Sequence, residues 1–172
     1  MGHEELRTAR LTLRRPTAAD LPAIYALHAD PAACAHNPSD ALSTVAEARA
    51  LYTRWDGQWR RSGFGYWTLR ARGTATGPLG FCGVKPVTLA DREVLNLFYR
   101  LAPSAWGRGF ATEAASAVVA WADRHLRGWP VVARVRPANV ASQRVAQRAG
   151  LVRAAHLDEP GDDGPDWLFA TE

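Results

Sequence analysis

The chain has 172 residues, of which 47% are hydrophobic and 22% charged, with a formal net charge of +4. That length suits one sizeable core, and a single domain over residues 1–172 is expected. No run of about 18 apolar residues marks a membrane span, and two cysteines and five histidines without ligand spacing exclude a disulfide framework and give no reason to expect a metal.

In chain order, Leu11 to Arg14 reads as a strand. Thr17-Ala18-Ala19-Asp20 resembles a capping box, opening a helix that carries Leu21, Ile24, Tyr25 and His28 and ends at Asp30-Pro31. Ala32 to Leu42 is a loop. Thr44-Val45-Ala46-Glu47 opens a second helix with an apolar stripe of Ala48, Leu51, Tyr52, Trp55 and Trp59, stopped at Ser62-Gly63. Phe64 to Arg70, Leu79 to Val87 and Glu93 to Ala102 read as consecutive antiparallel strands. A glycine-rich turn then leads into a helix over Ala114 to Leu126. Val131 to Val135 is a strand, followed by a short helix that Asn139 can cap and Gly150 can stop. Leu151 to His156 and Trp167 to Ala170 close the chain as strands. The order is β-α-α-β-β-β-α-β-α-β-β, a mixed α/β layout with helices on both faces of one sheet.

The turn Trp106-Gly107-Arg108-Gly109-Phe110-Ala111-Thr112 carries the strongest chemical signal. The first N–H groups of a helix have no partners within it, the helix dipole favours an anion there, and glycine lets a phosphate approach the backbone. A tight strand-to-helix connection is the competing reading of the same residues. The turn lacks the Gly-Lys-Ser/Thr of a Walker loop, and G-x-G-x-A is not the dinucleotide fingerprint.

Taken with the helix Asn139-Val140-Ala141-Ser142-Gln143-Arg144-Val145-Ala146-Gln147-Arg148-Ala149-Gly150-Leu151, this turn resembles the GNAT superfamily of N-acetyltransferases. Trp106-Gly107-x-Gly109-Phe110-Ala111-Thr112-Glu113-Ala114 after Tyr99-Arg100-Leu101-x-Pro103 is similar to the branch that acetylates ribosomal protein N-termini, named RimJ/RimL. The opening Arg10-Leu11-Thr12-Leu13-Arg14-Arg15-Pro16 is similar to that branch's first strand. The resemblance covers nearly the whole chain.

It implies a fold in which the fourth and fifth strands splay apart and receive the pantetheine arm of acetyl-CoA. The fourth is Glu93 to Ala102, so the backbone groups of Tyr99 and Leu101 are candidates to hold that arm, and Trp106, Gly107, Arg108, Gly109, Phe110, Ala111 and Thr112 to hold the pyrophosphate. The tyrosine that many members place on the last helix, as partner of the leaving thiolate, falls at Ala146. Ser142 becomes the leading partner, with a capping role as its alternative, and Asn139 either contacts pantetheine or caps the helix. The family's usual strand pattern Glu-(Ile/Leu)-Gly-Tyr reads Asn96-Leu97-Phe98-Tyr99 here. Asn96 cannot accept a proton, and Phe98 narrows the acceptor side. Glu93 is expected to face the other way. His36, in the loop that borders the acceptor in the family, is a candidate base, against a surface histidine or relay through water. Glu113 is read as structural, favouring the dipole.

The implied reaction is direct attack by a primary amine on acetyl-CoA in a ternary complex. A different class remains open: an acetyl-CoA-binding regulatory or sensing module with little catalysis. Of the 21 basic residues only Lys85 is lysine, and the arginines are scattered rather than clustered, which argues against a nucleic-acid partner. The opening Met-Gly-His-Glu-Glu lacks the apolar core of a signal peptide, so a cytoplasmic monomer or homodimer is expected. The acidic run Asp158 to Asp166 is expected to turn between the last two strands, where the resemblance puts it beside the acceptor entrance; its carboxylates either attract cationic acceptors or form a solvated hairpin tip.

Overall fold

A computed structural model describes residues 3–171. Its strands are β1 (Glu5–Arg7), β2 (Leu11–Arg14), β3 (Tyr66–Ala71), β4 (Gly80–Leu89), β5 (Arg92–Leu101), β6 (Val131–Val135), β7 (Val152–Arg153), β8 (Glu159–Gly161) and β9 (Gly164–Ala170). Its α-helices are α1 (Leu21–Ala29), α2 (Val45–Ser62), α3 (Phe110–His125) and α4 (Val140–Arg148). The sheet runs β1-β2-β3-β4-β5-β6-β9-β7, with β8 paired to β9 beside it. Every ladder is antiparallel except β5–β6. That parallel pair needs a crossover, and α3 supplies it.

Alternation along the strands sorts the core onto two faces. Leu95, Leu97 and Leu101 of β5 join Cys82, Val84, Val131, Ala133 and Val135 beneath Ala114, Val118 and Trp121 of α3 and Ala146 of α4. Phe98 faces the other way, with Tyr66 and Phe81, under Ile24 and Leu27 of α1 and Ala48 and Trp55 of α2. Local chemistry fixes the helix starts. Thr44 Oγ1 accepts from Glu47 N–H (3.2 Å), and the Glu47 carboxylate accepts from Thr44 N–H (2.9 Å), closing a capping box. Asp20 is fully buried; it accepts from Thr17 N–H (2.9 Å), Thr68 Oγ1 (3.1 Å) and Arg14 Nη2 (2.9 Å), pinning the entry to α1 against β2 and β3.

The structure departs from the sequence reading at four places. β1 is an extra strand; Glu-Leu-Arg has one apolar residue and so no periodic signal. α3 begins at Phe110 rather than Ala114, directly on the glycine turn. The strand expected over Leu151 to His156 shrinks to Val152–Arg153, followed by a 3-10 turn at Ala155–Leu157. The acidic run is itself a small hairpin, with β8 paired to the start of β9.

Candidate active site

The β5–β6 ladder contains only Leu95↔Val131 and Asn96↔Val132. Past that point β5 stays paired with β4 as far as Leu101↔Gly80, and β6 stays paired with β9 as far as Val135↔Trp167. The sheet therefore opens between them. Leu95 N–H points toward β6, donating to Pro130 O (2.8 Å). By alternation the backbone groups of Tyr99 and Leu101 point the same way, into a gap where no β6 residue pairs with them. Leu101 O accepts from the indole of Trp106 (2.8 Å), which fixes the half-exposed Trp106 ring at the mouth of the gap.

The glycine turn stands at that mouth. Gly107 (φ +70°) and Gly109 (φ +77°) are both left-handed, a conformation that turns successive N–H groups outward. The first intrahelical bond is Glu113 N–H to Gly109 O (3.0 Å). The N–H groups of Gly107 through Thr112 have no acceptor among the described residues. A β-carbon on Gly107 would meet nothing within 4 Å, so the space above the turn is open. Arg10, from the β1–β2 turn, braces the arrangement. Its Nη1 donates to Arg108 O (2.8 Å) and its Nε to Glu113 (2.6 Å), while both Arg10 and Arg108 stack on the Phe110 ring at 4.7 Å. Burial works against the charge on Glu113, but hydrogen bonds from Thr8 Oγ1 (2.5 Å), Arg10 N–H (2.8 Å) and the Arg10 guanidinium outweigh it and hold its pKa below the ordinary carboxylate range.

On the α3–α4 face, Asn139 caps α4 by accepting from Ser142 N–H (3.1 Å). Tyr99 reaches across from β5, its hydroxyl 2.8 Å from Ser142 Oγ and 2.9 Å from Ser142 O. Burial pushes the Tyr99 phenol up to about 12. Ala146 is fully buried one turn further on.

Asn96 lies on the opposite face from Ser142. Its Oδ1 accepts from Arg134 Nη1 (2.9 Å), and Arg134 Nε donates to Glu159 (2.5 Å). Buried Tyr66, whose phenol is pushed well up by desolvation, also neighbours Asn96. Phe98 stacks on Tyr66 at 4.6 Å. His36 is exposed, in the loop before the 3-10 turn Pro38–Asp40, and is hydrogen-bonded to no described residue. That turn is tied down twice: Arg100 Nη2 donates to Asp40 (2.6 Å), and Ser39 Oγ donates to Asp163 (2.6 Å).

The acidic hairpin is not the free carboxylate cluster its sequence suggests. Asp158 is paired with Arg153 (2.5 Å), Glu159 with Arg134 and Asp166 with Arg136 (3.0 Å), and Asp163 binds Ser39. Only Asp162 has no partner among the described residues. The sequence reading missed the arginines that fold onto the run, and it gave Arg10 no part beyond the opening strand motif. A signal for Arg134 was present: it interrupts Val131 to Val135, an otherwise apolar strand. Among the described residues no helix is long and apolar enough to cross a membrane, and no group of three His, Cys, Asp or Glu side chains could hold a metal.

The strand gap and the unpartnered N–H groups at its mouth form one continuous candidate site. The sequence pattern of the GNAT acetyltransferase domain matches residues 10–152, and the chain belongs to that family. Its class is that of acetyltransferases, and acetyl-CoA is the co-substrate of that chemistry. The uncharacterised protein YkkB of Bacillus subtilis is 32% identical over 101 residues, 58% of this chain and 58% of its own length. An acetyltransferase from Agrobacterium tumefaciens superposes with a TM-score of 0.82 at 27% identity, covering 100% of this chain and 96% of that one. RimL, a ribosomal protein α-N-acetyltransferase solved with coenzyme A, superposes at 0.76 with 19% identity, covering 97% of each chain, a likeness of fold.

Proposed function

We propose that the protein is a single-domain N-acetyltransferase that moves the acetyl group of acetyl-CoA to a primary amine, the residues of the strand gap and the glycine turn forming its donor site. The observation that carries this reading is the run of free N–H groups from Gly107 to Thr112 at the mouth of that gap. Those groups would hold the pyrophosphate, with Arg10 and Arg108 adding positive charge. The β5 edge at Tyr99 and at Leu101, whose carbonyl already accepts from Trp106, would hydrogen-bond the pantetheine arm, and Asn139, which caps α4, would border it.

Acetyl-CoA supplies an acyl carbon activated as a thioester. The chain's part is to align a neutral amine with it, polarise the carbonyl through a β5 N–H, and stabilise the departing sulfur. Ser142 Oγ, at the first turn of α4, is the donor for the sulfur. The amine side is the opposite face, where Asn96 replaces a carboxylate. Held by Arg134, Asn96 orients an amine but takes no proton, and His36 or water removes it. The motifs around Trp106 and Asn139 support the RimJ/RimL-like branch, and so a protein N-terminal amine or a small-molecule amine as acceptor.

The test is thiol release from acetyl-CoA across peptide N-termini, aminoglycosides, polyamines and simple amines. Release that depends on an amine supports the reading. A second reading rests on Asn96 and Ala146, which remove both of the family's usual titratable groups: a module that binds acetyl-CoA and senses it. Tight acetyl-CoA binding with no thiol release for any amine class would favour that one.

A further inference from the structure

We infer that Tyr99 is a positioning residue for the leaving thiolate: its phenol holds the Ser142 hydroxyl and directs that hydroxyl's hydrogen at the sulfur. The inference rests on the acetyl-transfer reading above and extends it to the Tyr99 side chain, to which that reading gives no role.

The geometry is a two-position switch. The phenol hydrogen has two acceptors within reach, Ser142 O at 2.9 Å and Ser142 Oγ at 2.8 Å. With the hydrogen on the carbonyl, Ser142 Oγ–H donates back to the phenol oxygen and nothing is offered outward. With it on Oγ, the serine hydrogen is released to a new acceptor. Only hydroxyl rotation separates the two states. An anion beside Ser142 selects the second, because charge-assisted hydrogen bonds are about twice as strong as neutral ones.

The step balances without a proton leaving either side chain. The amine nitrogen bonds to the acyl carbon, the C–S bond breaks, and sulfur departs with the electron pair as thiolate. Ser142 Oγ–H donates to that thiolate and Tyr99 Oη–H donates to Ser142 Oγ. The attacking nitrogen sheds its surplus proton to His36 or water and keeps the other as the amide N–H. Tyr99 is a neutral phenol at working pH, and burial, which raises its pKa to about 12, keeps it so across the titration below. Cys82, its cross-strand partner on β4, is likewise held neutral by burial. No tyrosine can act from Ala146, whose side chain is sealed in the core.

The test needs no acceptor. Affinity for coenzyme A is measured by calorimetry across the thiol's titration range, about pH 7 to 10, beside desulfo-coenzyme A, which cancels every other titration. The parent should bind coenzyme A roughly three- to tenfold more tightly above the thiol pKa than below it, relative to the desulfo compound, the scale of one hydrogen-bond chain. Tyr99→Phe should flatten most of that dependence while binding desulfo-coenzyme A normally. Ser142→Ala should abolish it, and the double variant should resemble Ser142→Ala. A Tyr99→Phe protein that keeps the parent's pH dependence overturns the inference and leaves the acetyltransferase reading standing. A parent that binds neither compound overturns both.

Discussion

Gly109→Asp probes the anion turn with least damage to the fold. Gly109 is the N-cap of α3 at φ +77°, and a β-carbon there would meet only Arg10 Nη2, at 3.3 Å. Aspartate tolerates the left-handed region better than most residues, and its carboxylate would sit against the Arg10 guanidinium, so the folding penalty should stay near 1 kcal/mol. Binding is another matter. A carboxylate about 5 Å from a phosphate repels it by about 1 kcal/mol at the dielectric of water and about 3 kcal/mol at an effective value of 20. With a pyrophosphate bearing two charges and Arg10 offsetting part of the field, coenzyme A affinity should fall between tenfold and a few hundredfold. Gly109→Ala carries the backbone strain without the charge and is the control. Calorimetric titration at low and high salt, with a thermal melt of each variant, separates the terms, since the charge effect shrinks with ionic strength. An Asp variant that melts near the parent and binds coenzyme A as tightly would refute the placement of the pyrophosphate on this turn.

Glu113→Gln should remove the brace between Arg10 and α3, costing about 1–2 kcal/mol in chemical denaturation at neutral pH. Because the folded-state pKa of Glu113 is depressed, its contribution is present above the unfolded carboxylate pKa of about 4.3 and is lost as pH falls through the folded value; the variant's stability should therefore fall less steeply than the parent's below that range. The β4–β5 hairpin turns through Ala90 (φ +47°) and Asp91 (φ +59°), where Asn-Gly is preferred, so Ala90→Asn with Asp91→Gly should raise stability by about 1 kcal/mol, or roughly 2–4 °C in Tm. Ala146→Tyr, restoring the family's usual residue, should instead destabilise by about 1–3 kcal/mol by overpacking and give no gain in thiol release.

The elements that carry the donor site were legible because their signals are local. A glycine pair before an apolar helix, and an Asn three residues before Ser142, each state their geometry within one turn of chain. The strand gap was legible only through resemblance: nothing in the residues of β5 or β6 says where their pairing stops. The contacts between residues far apart in the chain were the least readable. Arg134 meets Asn96 from 38 positions away, and Arg10 reaches the glycine turn from 98. Composition gives the charges of the acidic hairpin but not the arginines that neutralise them, because such pairing is set by topology. Tyr99 to Ser142, 43 residues apart, belongs to the same class.

The short β5–β6 ladder also has a mechanical meaning. Among the described residues, two residue pairs are all the sheet pairing that joins β1–β5 to the unit of β6, β7, β8 and β9. That seam coincides with the gap where the pantetheine arm would lie, and below it the two parts share one buried core. A ligand lodged there would act as a staple between two half-sheets, adding its binding energy where the sheet pairing between them is short. Amide protection along β5 and β6 should then rise together on coenzyme A addition, more than in β2 or β3.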